Sequence, residues 1–292
     1  MARKVLIDED VLNKLLQKAL PYEYEVLTYD DALDDEETEY LTLILMILKG
    51  QIDEVRKWVN SDDFKKLMED VEELPLNFFE DMEIKLRVYF HDKFELLLLP
   101  LLMGFYKDSN TATYQSLNLE PILTSNDLLN FTRIRQYNYD LLTNLCTDLN
   151  KNFKDIILEG IMDGKSVEEI SRSLVDAGIS PINKHTAQQR AEMIARTEVN
   201  AVKQNAKLQA YKDNSIEWVD IVTKRDNKVC PICLEAEFNN PYPIEEAEGM
   251  LPFHPRCRCE YGASKQNFNN EYEYGDFNQR VNDEFGEYID RV

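Results

Sequence analysis

Thirty residues late in the chain, "CPICLEAEFNNPYPIEEAEGMLPFHPRCRC" (230–259), hold four of its five cysteines and one of its three histidines. No other feature restricts the fold as much, because thiols this dense must be bridged, bind metal or act as a redox pair. Cys230 and Cys233, with two residues between them, form a knuckle in which two thiolates on a tight turn face one ion about 2.3 Å away. His254, Cys257 and Cys259 make the second half, and in an extended segment residues 257 and 259 face the same side. That is five candidates for four positions. Cys230 and Cys233 come first, then His254 and Cys259, with Cys257 substituting or left free. Pro231, Pro252 and Pro255 stiffen the loops that present them.

The competing chemistries fit less well. A thioredoxin-type dithiol needs a long helix directly after the motif, and "LEAEFNNPYPIEE" breaks within a turn or two. Two disulfides call for an oxidising compartment, whereas "MARKVLIDEDVLNKLLQK" has no continuous apolar run of the secretory kind. A catalytic metal needs an open position and a general base, and the nearby glutamates alone suggest either. A structural zinc is the favoured reading. Cys146, alone on a helical stripe, is expected in the core.

Ahead of this module the pattern is helical: residues 3–20, 38–59 and 76–106, with Pro100 kinking or ending the third. "KDSNTATYQSLNLEP" (107–121) reads as a connection. A long helix from Ser125 carries an apolar stripe of Leu128, Leu129, Ile134, Leu141, Leu142, Leu145, Leu149 and Phe153, ending at Gly160 and Gly164. "SVEE" (166–169) is a capping box, and a further helix spans 186–214. At 215–225 the period changes to two, with Val219 and Ile221 on one face, so a strand is expected. The expected fold is therefore mainly α with a small C-terminal β-containing, zinc-stapled module (α+β). Its parts are an acidic helical region 1–124, a helical body 125–214, a β/zinc-knuckle module 215–262 and a polar acidic tail 263–292. "LTLILMILKG" and "FELLLLPLLMGFY" fall short of the roughly 20 apolar residues of a membrane span and read as core helices.

The formal net charge is −22, and residues 1–100 hold 25 Asp and Glu against 12 Lys and Arg. Such a surface repels nucleic-acid phosphates and suits a basic protein partner. Only residues 184–212 are permissive for DNA, through Lys184, Arg190, Lys203, Lys207 and Lys212.

"RAEMIARTEVNAVKQNAKLQAYKDNSIEWVDIVTKRDNKVCPIC…HPRCRC", with "GKSVEEISRSL" upstream, resembles the Mu F-like phage head-morphogenesis proteins, also called minor head or minor capsid proteins, over about residues 155–262. Arg196, Thr197, Glu198, Arg225, Asp226, Arg258 and the five metal candidates occupy motif positions. The resemblance implies a structural virion protein of a tailed virus. It would be made in the host cytoplasm and sit in the head near the portal, acting in assembly and in genome packaging or delivery. Portal, major capsid or scaffolding proteins are the implied partners, with packaged double-stranded DNA as another. Physically, Arg225, Asp226 and Arg258 are suited to charge-assisted hydrogen bonds that hold the metal loops against the helix of Arg196, Thr197 and Glu198.

Two other classes compete. An ADP-ribosyltransferase would use Glu271-x-Glu273 as its acidic pair but lacks a Ser-Thr-Ser strand. A metal-stapled nucleic-acid module is opposed by Glu235, Glu237, Glu245, Glu246 and Glu248. A ββα-metal nuclease needs a second histidine, and His91 and His185 lie far off in sequence.

Overall fold

Asp34 opens the first helix because its carboxylate accepts the Glu37 N–H at 2.7 Å while Glu37 accepts the Asp34 N–H at 3.0 Å. This capping box satisfies two of the four amides a helix start leaves open. The computed structural model describes residues 33–69, 77–177, 181–182, 185–224, 226 and 228–264. The helix expected at 3–20, the tail, and Glu271 and Glu273 lie outside them.

In chain order the elements are α1 (Asp35–Val59), α2 (Asp62–Glu69), α3 (Glu80–Lys93), a π turn (Phe94–Leu98), α4 (Leu99–Ser116), α5 (Ser125–Met162), α6 (Val167–Ala177), β1 (Pro181–Ile182), β2 (His185–Thr186), α7 (Ala187–Asp213), β3 (Trp218–Val222), α8 (Pro231–Phe238), β4 (Tyr242–Pro243) and β5 (Glu260–Ala263). The protein is thus mainly helical with a small antiparallel sheet near its C-terminal end. Among the described residues no helix is long and apolar enough to cross a membrane.

Two expectations need correction. Residues 107–116 are not a connection but the second half of α4. Its buried face is polar, and that is why it reads as loop: Thr113 donates to the Ser109 carbonyl, and the buried Asn110 amide donates to Asp127 at 3.3 Å. Pro100 does not end the helix either. The proline has no N–H and its ring crowds the carbonyl four residues back, and the turn containing Leu96 widens to a π turn that lets the helix run on.

Contacts divide the chain into two compact units, Met1–Leu98 with Leu142–Ala191, and Leu99–Leu141 with Glu192–Val292. In the first, α1 packs on α3 and α6 around Tyr40, Ile44, Ile47, Phe94, Phe153 and Ile170. Trp58, Phe64, Phe78 and Phe79 form an aromatic cluster with ring centroids 4.7–6.1 Å apart. The capping box at α6 is present, with Ser166 N–H donating to Glu169 at 2.8 Å and Glu169 N–H to Ser166 at 3.2 Å. Cys146 is buried, and burial pushes its thiol up to about 12.

In the second unit the sheet has the order β4-β3-β5 and is antiparallel throughout, Val219 lying opposite Tyr242 on one side and Ala263 on the other. Val219 and Ile221 face a core of Leu208, Tyr211, Ala236, Tyr242 and Tyr261. At the start of α5 the buried positions are Asp127 and Phe131, so Leu128 and Leu129, expected on the apolar stripe, are 65% and 61% exposed. Asp127 takes the inward place because it accepts from the Tyr106 hydroxyl at 2.8 Å and caps α5 through Thr124.

Candidate metal centre

Cys230 is the N-cap of α8, with Pro231 in the first helical position, where a missing N–H costs nothing. Its sulfur accepts the Cys233 N–H at 3.4 Å, and the positive end of the helix favours a thiolate there. Cys257 and Cys259 precede β5, both buried, and His254 comes from the loop before them. The Cys230, Cys233 and His254 ligand atoms lie within 4.8 Å of one another, and so do those of Cys233, Cys257 and Cys259. Cys233 belongs to both triads.

The separations suit a tetrahedral ion. His254 Nε2 stands 3.2 Å from Cys230 Sγ and 3.3 Å from Cys233 Sγ, and the Cys233 and Cys257 sulfurs are 3.9 Å apart. Zinc–ligand bonds of about 2.0–2.3 Å put tetrahedral edges at roughly 3.5–3.8 Å. The histidine tautomer is set as well. Nδ1 lies 2.8 Å from the Pro255 carbonyl, which only accepts, so Nδ1 carries the proton and Nε2 is left toward the sulfurs.

Electrostatics divide the thiols. A hydrogen bond from Cys233, then one from His254, lowers Cys230 to about 4. Bonds from Cys233 and Cys259 lower Cys257 to about 2, while the bond to Cys230 pushes Cys233 up. Burial works against the His254 imidazolium, yet bonds to Cys230 and the Pro255 carbonyl hold it up at about 9. A divalent cation replaces such shared protons directly, since thiolate and neutral imidazole are the ligating forms. The residues present therefore fit a metal.

The ligand loop is held against α7 mostly by neutral groups. Thr197 Oγ1 accepts the Arg256 N–H at 3.0 Å, and the Asn200 amide donates to the Cys257 and Cys259 carbonyls at 2.9 and 3.2 Å. Gln204 accepts the Tyr261 N–H at 2.9 Å. Arg256 sits at a φ of 63°, a left-handed position that bulky residues rarely adopt. Its guanidinium reaches Glu192 at 3.2 Å, and Glu192 also pairs with Arg196 at 3.1 Å. From the other side the Asn240 side chain imitates a strand, exchanging two hydrogen bonds with the backbone of Ile221 at 2.7 and 2.8 Å.

Residues 151–261 match the family model described as Phage Mu protein F like protein. The likeness to that family is confined to this part of the chain. The match suggests a role in phage head morphogenesis. Comparison with curated proteins and with solved structures gives no match. The matched span takes in all five metal candidates together with α6, α7 and β3.

The remaining motif positions of the Mu F-like segment fall in three places. Asp226 and Arg258 form a bidentate pair at 2.6 and 2.9 Å beside the cysteines, and Arg258 lowers the Asp226 carboxyl to about 2. Thr197 bonds the ligand loop directly and Arg196 pairs with Glu192, which also reaches Arg256, whereas Glu198 takes its hydrogen bond from Asn138 of α5. Arg225 lies outside the described residues, as does Lys184. Of the other basic candidates, Arg190 pairs with Asp148, Lys207 with Glu260 and Lys212 with Glu248, at 2.6–3.0 Å, and Lys203 lends its carbonyl to Ser109. His91 is exposed on α3.

Sequence reasoning gave no role to Gln204, Asn240, Glu192 or Arg256, and marked Asn200 only as a position of the family resemblance. For the α7 residues one signal was available. Positions 197, 200 and 204 share a helix face, and three uncharged hydrogen-bonding side chains in line there suit a surface that meets backbone rather than core.

Proposed function

We propose that this chain is a structural minor head protein of a tailed virus that acts at the portal, in head assembly and in genome packaging or delivery. The observation that supports this reading is the family match, which takes in all five cysteine and histidine candidates and stops within β5. In this reading one zinc, held by Cys230, Cys233, His254 and a third cysteine from the 257–259 pair, staples α8 to β5. The metal supplies cross-linking and no reaction step. Around it Asp226 and Arg258 brace the outer loops, while Thr197 fixes the ligand loop to α7 and Arg196 supports it through Glu192.

Portal or capsid proteins are the favoured partners. A chain of net charge −22 whose candidate cations are largely paired is a poor counterpart for DNA phosphates. Quantitative mass spectrometry of intact particles, counting this chain against portal and major capsid protein, tests the proposal. A low, fixed copy number in mature heads is expected. Absence from both mature heads and assembly intermediates would contradict it.

A further inference from the structure

Cys257 and Cys259 reach the donor cluster by different routes. Cys257 closes a turn that His254 opens, its N–H donating to the His254 carbonyl at 3.0 Å. Pro255 takes the second place in that turn, and Arg256, at a φ of 63°, takes the third. This is the residue pattern of a type II turn. It separates His254 from Cys257 by the same interval that the start of α8 puts between Cys230 and Cys233. The Cys257 sulfur then lies 3.9 Å from that of Cys233.

Cys259 comes instead from the residue before β5, a strand held in register by Glu260 opposite Val222 of β3. Together with Cys230, Cys233 and His254 it lines a small cavity of about 30 Å³, and Cys257 does not. A space of that size holds one water-sized particle. One thiol is thus favoured by its turn and the other by its cavity.

The backbone does not choose between them. The Asn200 amide holds both carbonyls, at 2.9 and 3.2 Å. Both side chains are buried to the same degree, at 2% and 3% exposure. Each sulfur lies within 4.8 Å of the other and of Cys233. With the backbone held, side-chain rotation alone decides which of the two stands in the fourth place. A structural zinc takes four ligands, and Cys230, Cys233 and His254 supply three.

We propose, on the metal reading above, that Cys257 and Cys259 are interchangeable ligands, one bound to the metal while the other stands beside it as a free thiol. Bound through Cys257, the metal staples α8 to the turn; bound through Cys259, it staples α8 to β5. The module therefore keeps its metal when either of these cysteines is lost, and releases it when Cys230 or Cys233 is lost.

The test uses the full reduced chain loaded with Co(II), whose sulfur-to-metal charge-transfer absorption grows with each bound thiolate. Wild type should hold one Co(II) with the intensity of three thiolates. Cys257→Ala and Cys259→Ala should each keep that intensity, with affinity in a chelator competition lowered about twofold, the loss of one of two equal ways to close the site. The double variant should fall to two thiolates and weaken by more than the roughly 100-fold that losing an outer-shell partner costs. Cys230→Ala, which has no substitute, sets the scale of a true ligand loss, and Cys257→Ser and Cys259→Ser repeat the single changes with a side chain nearer in size. Collapse of binding at either position to the Cys230→Ala level would overturn the shared place and leave the metal staple standing. So would a wild type with four thiolates bound, since both cysteines would then be ligands at once. A wild type that takes up no metal would remove the staple and the shared place together.

Discussion

Glu198 is a carboxyl buried to 4% exposure, and its effect on stability has a definite sign. Burial, opposed by the Asn138 hydrogen bond, raises its folded pKa to about 8. Between the ordinary carboxyl value of about 4.3 and that point, the folded chain keeps a proton that the unfolded chain has released. The contribution is thus fully present below the unfolded pKa and is lost as pH rises through the window, at up to about 1.4 kcal/mol per pH unit. Glu198→Gln cannot ionise. Urea unfolding of both proteins from pH 5 to 8.5 should show the variant gaining on the wild type steadily with pH, and a constant difference would contradict the assignment. Asn200 gives a second expectation at this scale. Its amide serves two carbonyls of the ligand loop, so Asn200→Leu should cost about 1–3 kcal/mol of stability, the penalty for buried acceptors left without donors.

Among the elements, the α5–α6 corner is closely packed. A Cβ at Gly160 would stand 2.6 Å from Ile170 Cγ1, and Ile170 is fully buried. Gly160→Ala gains about 1 kcal/mol in helix propensity against an overpacking cost of about 1–3 kcal/mol. Net destabilisation of about 1 kcal/mol is expected, and Ile170→Val in the same chain should recover part of it; additive effects of the two changes would show that they do not touch. In the proposed reading the sheet module depends on its metal ligands instead. Cys233 is common to both donor triads, so Cys233→Ser should release the metal and raise hydrogen exchange at Val219, Ile221 and Tyr261 before that of the first unit's helices. Unchanged protection there would show that the sheet stands without its staple.

These elements also show how far a sequence can be read. The knuckle, the Ser166 capping box and the inward face of β3 are written in short-range spacing, so residue types alone reveal them. The polar second half of α4 is not, because its hydrogen bonds go to partners that only the fold brings near, such as Asp127 seventeen residues beyond Asn110. Leu128 and Leu129 mislead for the reverse reason: helical periodicity counts apolar residues without knowing which turn the core reaches. The cysteine and histidine donors of the site were legible as chemistry. The amides that aim them were not, since Asn200, Gln204 and Asn240 bind backbone and carry no signature of their own beyond a shared helix face.

For the whole molecule, the account joins a family match confined to residues 151–261 with an acidic chain that divides into two compact units. Its central physical claim is that the Cys/His cluster is a metal staple and not a redox pair. Elemental analysis of the full chain, purified under reducing conditions and counted alongside thiol reactivity in the native state, tests this most directly. The account predicts about one zinc per chain, with Cys146 and the metal-bound thiols slow to alkylate until a chelator is added. Metal-free protein with Cys230, Cys233, Cys257 and Cys259 all freely alkylated would contradict it.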